Sequence, residues 1–156
     1  VVEFDLGKEH FAIDLFDVRE VVEKSRITQL PNSPIYVRGI IDLRGEITTI
    51  IDLKKRLNIT AAEEENAGRI IILDQRAAST RMGVLVDDVT SVSTFERDQV
   101  DSNPLSTNDM ETAIRGIIKK KVRVKEKEIN ELIIWIDIKK LVGDIDTSGL
   151  AQAAPA

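Results

Sequence analysis

The chain has 156 residues, 42% of them hydrophobic and 31% charged, with a formal net charge of −5. That length holds one ordinary domain or two very small ones, and the acidic balance argues against a nucleic-acid-binding domain. With no cysteine in the chain, disulfides, zinc–thiolate centres and cysteine nucleophiles are excluded, no apolar run approaches the ~18 residues of a membrane span, and no signal-peptide pattern is present. Aromatic residues make up only 4%, so the core must come from Ile, Val and Leu, which favours sheet over helix.

In chain order, residues 1–6 and 10–15 read as a strand pair around the turn Gly7-Lys8-Glu9, with Phe11, Ile13 and Leu15 alternating. Residues 17–22 are a short helical turn or a bent strand. Residues 27–30 are extended and stop at Pro31, and Asn32-Ser33-Pro34 is a loop. A hairpin follows, with strands over 38–43 and 46–51. Its turn is Arg44-Gly45, where Gly supplies a positive φ. Asp52 then caps a short helix over 53–57. Residues 58–68 form a solvated linker with the run Glu63-Glu64-Glu65. Residues 69–74 are a buried strand, 75–80 its turn and 82–86 its partner. Residues 87–95 read as irregular and 101–112 as loop. A last hairpin spans 113–121 and 132–136, and a helix over 137–142 stops at Gly143. The tail from 144 to 156 shows no packing pattern and is expected to be mobile.

The chain repeats itself. Val37-Arg38-Gly39-Ile40-Ile41 recurs as Ile114-Arg115-Gly116-Ile117-Ile118, and Ile51-Asp52-Leu53-Lys54-Lys55 recurs as Ile136-Asp137-Ile138-Lys139-Lys140. Asp17-Val18-x-x-Val21 is echoed by Asp88-Val89-x-x-Val92. The matches keep the same order, and the second copy carries extra residues between its strands. Two similar β-rich subdomains are therefore expected, 1–66 and 67–143, leaning on a shared interface. Small antiparallel sheets need closure at their edges, so two small barrels are favoured over two open sheets.

Chemistry is hard to find in the sequence. The single histidine, His10, lies beside a turn and reads as a solvated side chain. No Cys/His/Asp cluster has metal-ligand spacing; no phosphate-binding glycine motif and no nucleophile elbow occurs. No cofactor or metal is expected. Asp87-Asp88 at a strand end reads as turn formers and solvated charges. The run Lys119-Lys120-Lys121-Val122-Arg123-Val124-Lys125 reads as a solvated hairpin tip, favoured over a site for an anionic partner because acids dilute it and no aromatics interleave.

The stretches 4–14, 17–22, 27–34, 37–47, 51–57 and 82–89, centred on Val-Arg-Gly-Ile-Ile-Asp-Leu-Arg-Gly and Ile-Asp-Leu, resemble the CheW family of chemotaxis coupling proteins. The resemblance implies two five-stranded β-barrels with a hydrophobic groove between them, no catalysis, and a cytoplasmic adaptor that is a monomer in isolation. Its partners would be the cytoplasmic tip of chemoreceptors and the regulatory domain of the histidine kinase CheA, with no nucleic acid and no membrane insertion. Arg44 matches the arginine of the Leu-Arg-Gly motif and Glu20 an acidic motif partner, so an Arg44–Glu20 ion pair is expected at the groove wall. Val18 and Val21, with Val86, Val89 and Val92, match groove-lining positions, and Gly39 and Gly45 the motif glycines. Asp42, where the family usually has Asn, and Thr49-Ile50, where it often has Pro-Val, are mild departures; the charged insertion over 119–131 puts second-barrel contacts in doubt. Other readings are a CheW-like domain of a larger chain, such as the CheA regulatory domain or a CheV-type protein, or a nucleic-acid-binding β-barrel.

Overall fold

The alternation read along the first fifteen residues folds as two antiparallel strands, β1 (Val2–Leu6) and β2 (Glu9–Ile13). The computed structural model describes residues 1–59, 68–101, 113–143 and 145. After a single 3₁₀ turn (Leu15–Asp17) come β3 (Val18–Glu23), β4 (Val37–Leu43), β5 (Glu46–Asp52) and the short helix α1 (Leu53–Arg56). The second half runs β6 (Arg69–Leu73), β7 (Met82–Val86), β8 (Asp88–Val92), β9 (Val100–Asp101), β10 (Ile114–Val124), β11 (Lys127–Ile136) and α2 (Ile138–Val142). The fold is mostly β with few short helices. Residues 87–95, expected to be irregular, contain β8; a bulge at Thr90 sets Val89 and Val92 three residues apart and breaks the alternation that marks a strand.

The strands make two sheets, of order β8-β1-β2-β11-β10-β9 and β3-β6-β7-β5-β4. Neither ladder closes into a barrel among the described residues. The strand pairing also divides the chain differently from a cut between 66 and 67. The first sequence repeat is β1-β2-β3-β4-β5-α1 and the second is β6-β7-β8-β10-β11-α2. Each repeat gives its leading hairpin to the other's sheet: β2 lies parallel to β11, and β7 lies parallel to β5. The repeats have exchanged arms. Of residues 144–156, Ile145 is described and is buried in the core; the rest of that tail, most of 101–112 and most of the 58–68 linker lie outside the described residues.

Three apolar layers result. The central one joins both sheets and holds Phe4, Phe11, Ile51, Leu53, Ile71, Val84, Ile136 and Ile138, with the Phe4 and Phe11 rings stacked at 5.9 Å between centroids. Beyond the five-stranded sheet lies Ile41, Ile50, Ile70, Ile72 and Leu85; beyond the six-stranded sheet lies a smaller cluster of Ala12, Ile118 and Ile133. The unbroken run Ile70-Ile71-Ile72 is what a strand covered on both faces needs.

The repeat holds at the level of single bonds. Register slips at Arg38 in β4 and again at Arg115 in β10, and each bulge re-aims its arginine. Arg38 reaches Asp52 at 3.5 Å, Arg115 reaches Asp137 at 3.2 Å, and both aspartates cap the following helix, accepting from Lys55 N and Lys139 N. The backbone N–H of Asp52 donates to the Tyr36 carbonyl and that of Asp137 to the Ala113 carbonyl. The two hairpins differ in length and not in turn type. Arg44 and Gly45 take φ of +50° and +85°; Lys125 and Glu126 take +50° and +65°. The extra residues of the second copy therefore lengthen the strands, and the turn stays as tight as the first.

Candidate functional site

The Arg44-Gly45 turn stands at the free end of β4 and β5. Asp42 Oδ1 accepts from Gly45 N at 2.7 Å and braces it. Arg44 sits at positive φ in this turn, and its guanidinium donates to the Glu20 carboxylate on β3. The pair lies at the surface, with the Arg44 side chain 66% exposed. The hydrogen bond from Arg44 holds the Glu20 carboxyl below its ordinary value, and the same bond raises the Arg44 guanidinium.

Val18 and Val89 occupy equivalent repeat positions on β3 and β8, and both are half-buried against the central core. Val21 and Val92 are also equivalent and are 37% and 64% exposed. Val86 is 1% exposed and belongs to the core, so it offers no surface to a partner. Gly39 is buried as well; a Cβ there would stand 2.1 Å from the Thr28 carbonyl oxygen, across the bridge between Thr28 and Ile40. Gly39 thus lets two backbones meet and touches nothing outside. Gly45 faces open space.

Several charged residues have larger roles than their sequence context indicates. His10 is not simply solvated: its Nδ1 faces Asp5 Oδ1 at 2.6 Å and its Nε2 faces Glu131 Oε1 at 2.9 Å. Asp87 accepts from Gly7 N at 2.6 Å and from Lys54 Nζ at 2.7 Å, tying the exchanged hairpins to α1. In the other sheet Asp14 accepts from Arg115 at 2.8 Å and from Trp135 Nε1 at 3.3 Å. Asp14 and Asp87 both follow an exchanged hairpin, and that shared place is the signal that could have found them. Lys120, inside the basic run, turns inward to Glu3 at 3.3 Å. Burial pushes the Glu3 carboxyl up, but hydrogen bonds from Ser93, Ser91 and Lys120 outweigh it and leave it below its ordinary value. Burial raises the Asp17 carboxyl, against the pull of Lys139 at 3.7 Å.

Among the described residues no group of His, Cys, Asp or Glu could hold a metal ion, and no helix is long and apolar enough to cross a membrane.

Residues 1–146 match the family described as the CheW-like domain. The chain is 30% identical to "Chemotaxis protein CheW" of Treponema pallidum, over 97% of this chain and 86% of that protein. It is 31% identical to "Chemotaxis protein CheW" of Thermotoga maritima, over 93% of this chain and 88% of that one. The crystal structure of the scaffolding protein TtCheW from Thermoanaerobacter tengcongensis superposes with a TM-score of 0.72 at 34% identity, covering 90% of this chain and 84% of that one.

Proposed function

The chain belongs to the CheW-like family, and from that premise we propose that it is a non-enzymatic chemotaxis adaptor coupling the cytoplasmic tips of chemoreceptors to the histidine kinase CheA. In this reading the protein works in the cytoplasm, joined to membrane receptor arrays through its partners. Each sheet, with its own outer apolar cluster, acts as one barrel-like unit. The observation that carries the reading is the surface ion pair between Arg44 and Glu20. A charged side chain in the turn, tied to an acid on β3, holds the shape of a turn that core packing alone would leave free. The exposed Val21 and Val92 supply apolar contact for a helical partner.

The test is a pull-down with a receptor-tip fragment and with the CheA regulatory domain. The wild type is expected to retain both. Arg44→Glu should lose at least one partner while its thermal unfolding stays unchanged, and Arg44→Glu with Glu20→Arg should recover part of the binding. If the wild type retains neither partner, the adaptor reading falls.

A further inference from the structure

A second feature of the five-stranded sheet goes beyond the coupling role. The β3 ladder slips between Val18 and Glu20, so Arg19 is the extra residue of a bulge. The equivalent slip on β8 makes Thr90 the extra residue, and there the hydroxyl closes on the Glu3 carbonyl at 3.3 Å. The backbone device is common to both repeats, yet only the first aims a guanidinium outward. A second asymmetry meets it. The exchanged hairpin of the six-stranded sheet turns in residues 7–8, whereas that of the five-stranded sheet turns in residues 74–81. The longer turn raises a wall opposite Arg19 and leaves a cavity of about 60 Å³.

The floor of this cavity includes buried Ile72 and Thr48, which share one face of the sheet, while Leu73 and Met82 line it and belong to the central core on the other face; its rim carries exposed Arg19, Ser79 and Arg81. None of its described lining residues is acidic, in a chain whose net charge is −5. Arg81 already pairs with Glu46, but a guanidinium has five N–H donors to share. An apolar floor of this size beneath two arginines suits a short aliphatic stem ending in one negative charge. The cleft holds several waters' worth of space, on the scale of a single side chain.

We infer that this cleft receives a glutamate or aspartate side chain of a protein partner, its carboxylate held between Arg19 and Arg81 and its methylenes over Ile72. The bulge sets the position of Arg19, and the long β6–β7 turn sets that of Arg81. The inference does not depend on which protein the adaptor reading assigns.

The experiment is a ¹⁵N chemical-shift titration of the full chain with three probes: an acetylated, amidated Ala-Ala-Glu-Ala-Ala peptide, its Gln counterpart, and free glutarate. The Glu peptide should give saturable shifts at residues 19, 48 and 79–82. The Gln peptide should give none there. Arg19→Gln should weaken binding by about tenfold, as expected for one lost charge-assisted contact, with Arg19→Lys recovering part of it and the rest of the spectrum unmoved. Saturable shifts with glutarate alone would mean a small-molecule site and overturn the inference. So would equal shifts with the Glu and Gln peptides, shifts spread along the basic β10–β11 strands, or no saturable shift at all.

Discussion

Gly39 and Gly45 lie in one hairpin and fail differently when given a side chain. At Gly39, φ is +145° and the new Cβ would collide with backbone, so Gly39→Ala is expected to cost about 3 kcal/mol or more. At Gly45, φ is +85° but the space is open, and Gly45→Ala should cost only about 1–2 kcal/mol. Denaturant unfolding of the two variants measures the difference; equal losses would mean that the segment carrying Thr28 yields. Glu3 is the other residue with a large effect. Its folded carboxyl lies below its ordinary value, so its contribution is complete above the ordinary glutamate range and disappears as pH falls through the depressed value. Glu3→Gln should therefore lower stability at pH 7 by about 1–3 kcal/mol and shrink the loss between pH 7 and acid, as read by thermal melts across pH. A variant as pH-sensitive as the wild type would remove Glu3 from the account. The Glu20–Arg44 tie has the same sign: it is present at neutral pH and is lost in acid as Glu20 protonates. Arg44 and Glu20 were nameable from the sequence because a motif carried them. Arg19 was not, because period-2 alternation says where a strand faces and is silent on where it bulges.

Among the elements, the unit of strand bulge, arginine and capping aspartate occurs twice and anchors both short helices. α1 and α2 span 53–56 and 138–142, far too few residues to be stable alone. They persist because Leu53, Ile138, Leu141 and Val142 pack into the central core and because Asp52 and Asp137, held by arginines, cap them. Arg115→Ala, which frees Asp14 and Asp137 and uncovers Trp135, should cost about 1–2 kcal/mol after allowing for its partial exposure. The long β10–β11 strands make the opposite case. Val124 and Ile129 are about half exposed at their far end. Replacing 122–129 with Asn-Gly, which keeps the tight turn type, should leave the melting temperature within about 3 °C of wild type, because little buried surface is removed. A larger drop would mean that the far end of the strands packs on part of the chain. Both hairpins, both capped helices and the Ile-rich strands were legible in the sequence, since each rests on local pattern. β8 was missed because the bulge at Thr90 sets Val89 and Val92 three residues apart and breaks the period-2 alternation.

At the scale of the molecule, the repeat was visible in the sequence but its exchange of arms was not. Similarity between segments records that two copies exist; it carries no term for which copy's hairpin pairs with which sheet. Pairings such as His10 with Ile133 join residues from opposite ends of the chain, and no local signal encodes them. The exchange makes a specific prediction. Fragments 1–66 and 67–143 each lack two strands of the sheet they would need, so neither should show a cooperative melt by circular dichroism when produced alone. A cooperative transition in either would mean that the hairpins can fold back onto their own repeat. The exchange also fixes an order of events during synthesis. The strands of the five-stranded sheet all lie within residues 18–86 and can pair while the ribosome is still at work. β2 must wait for β11 before its far edge is covered, so the first hairpin made is among the last to be finished. For that interval the nascent chain carries an unpaired strand edge into the cell, a point at which a chaperone or a neighbouring copy can intervene.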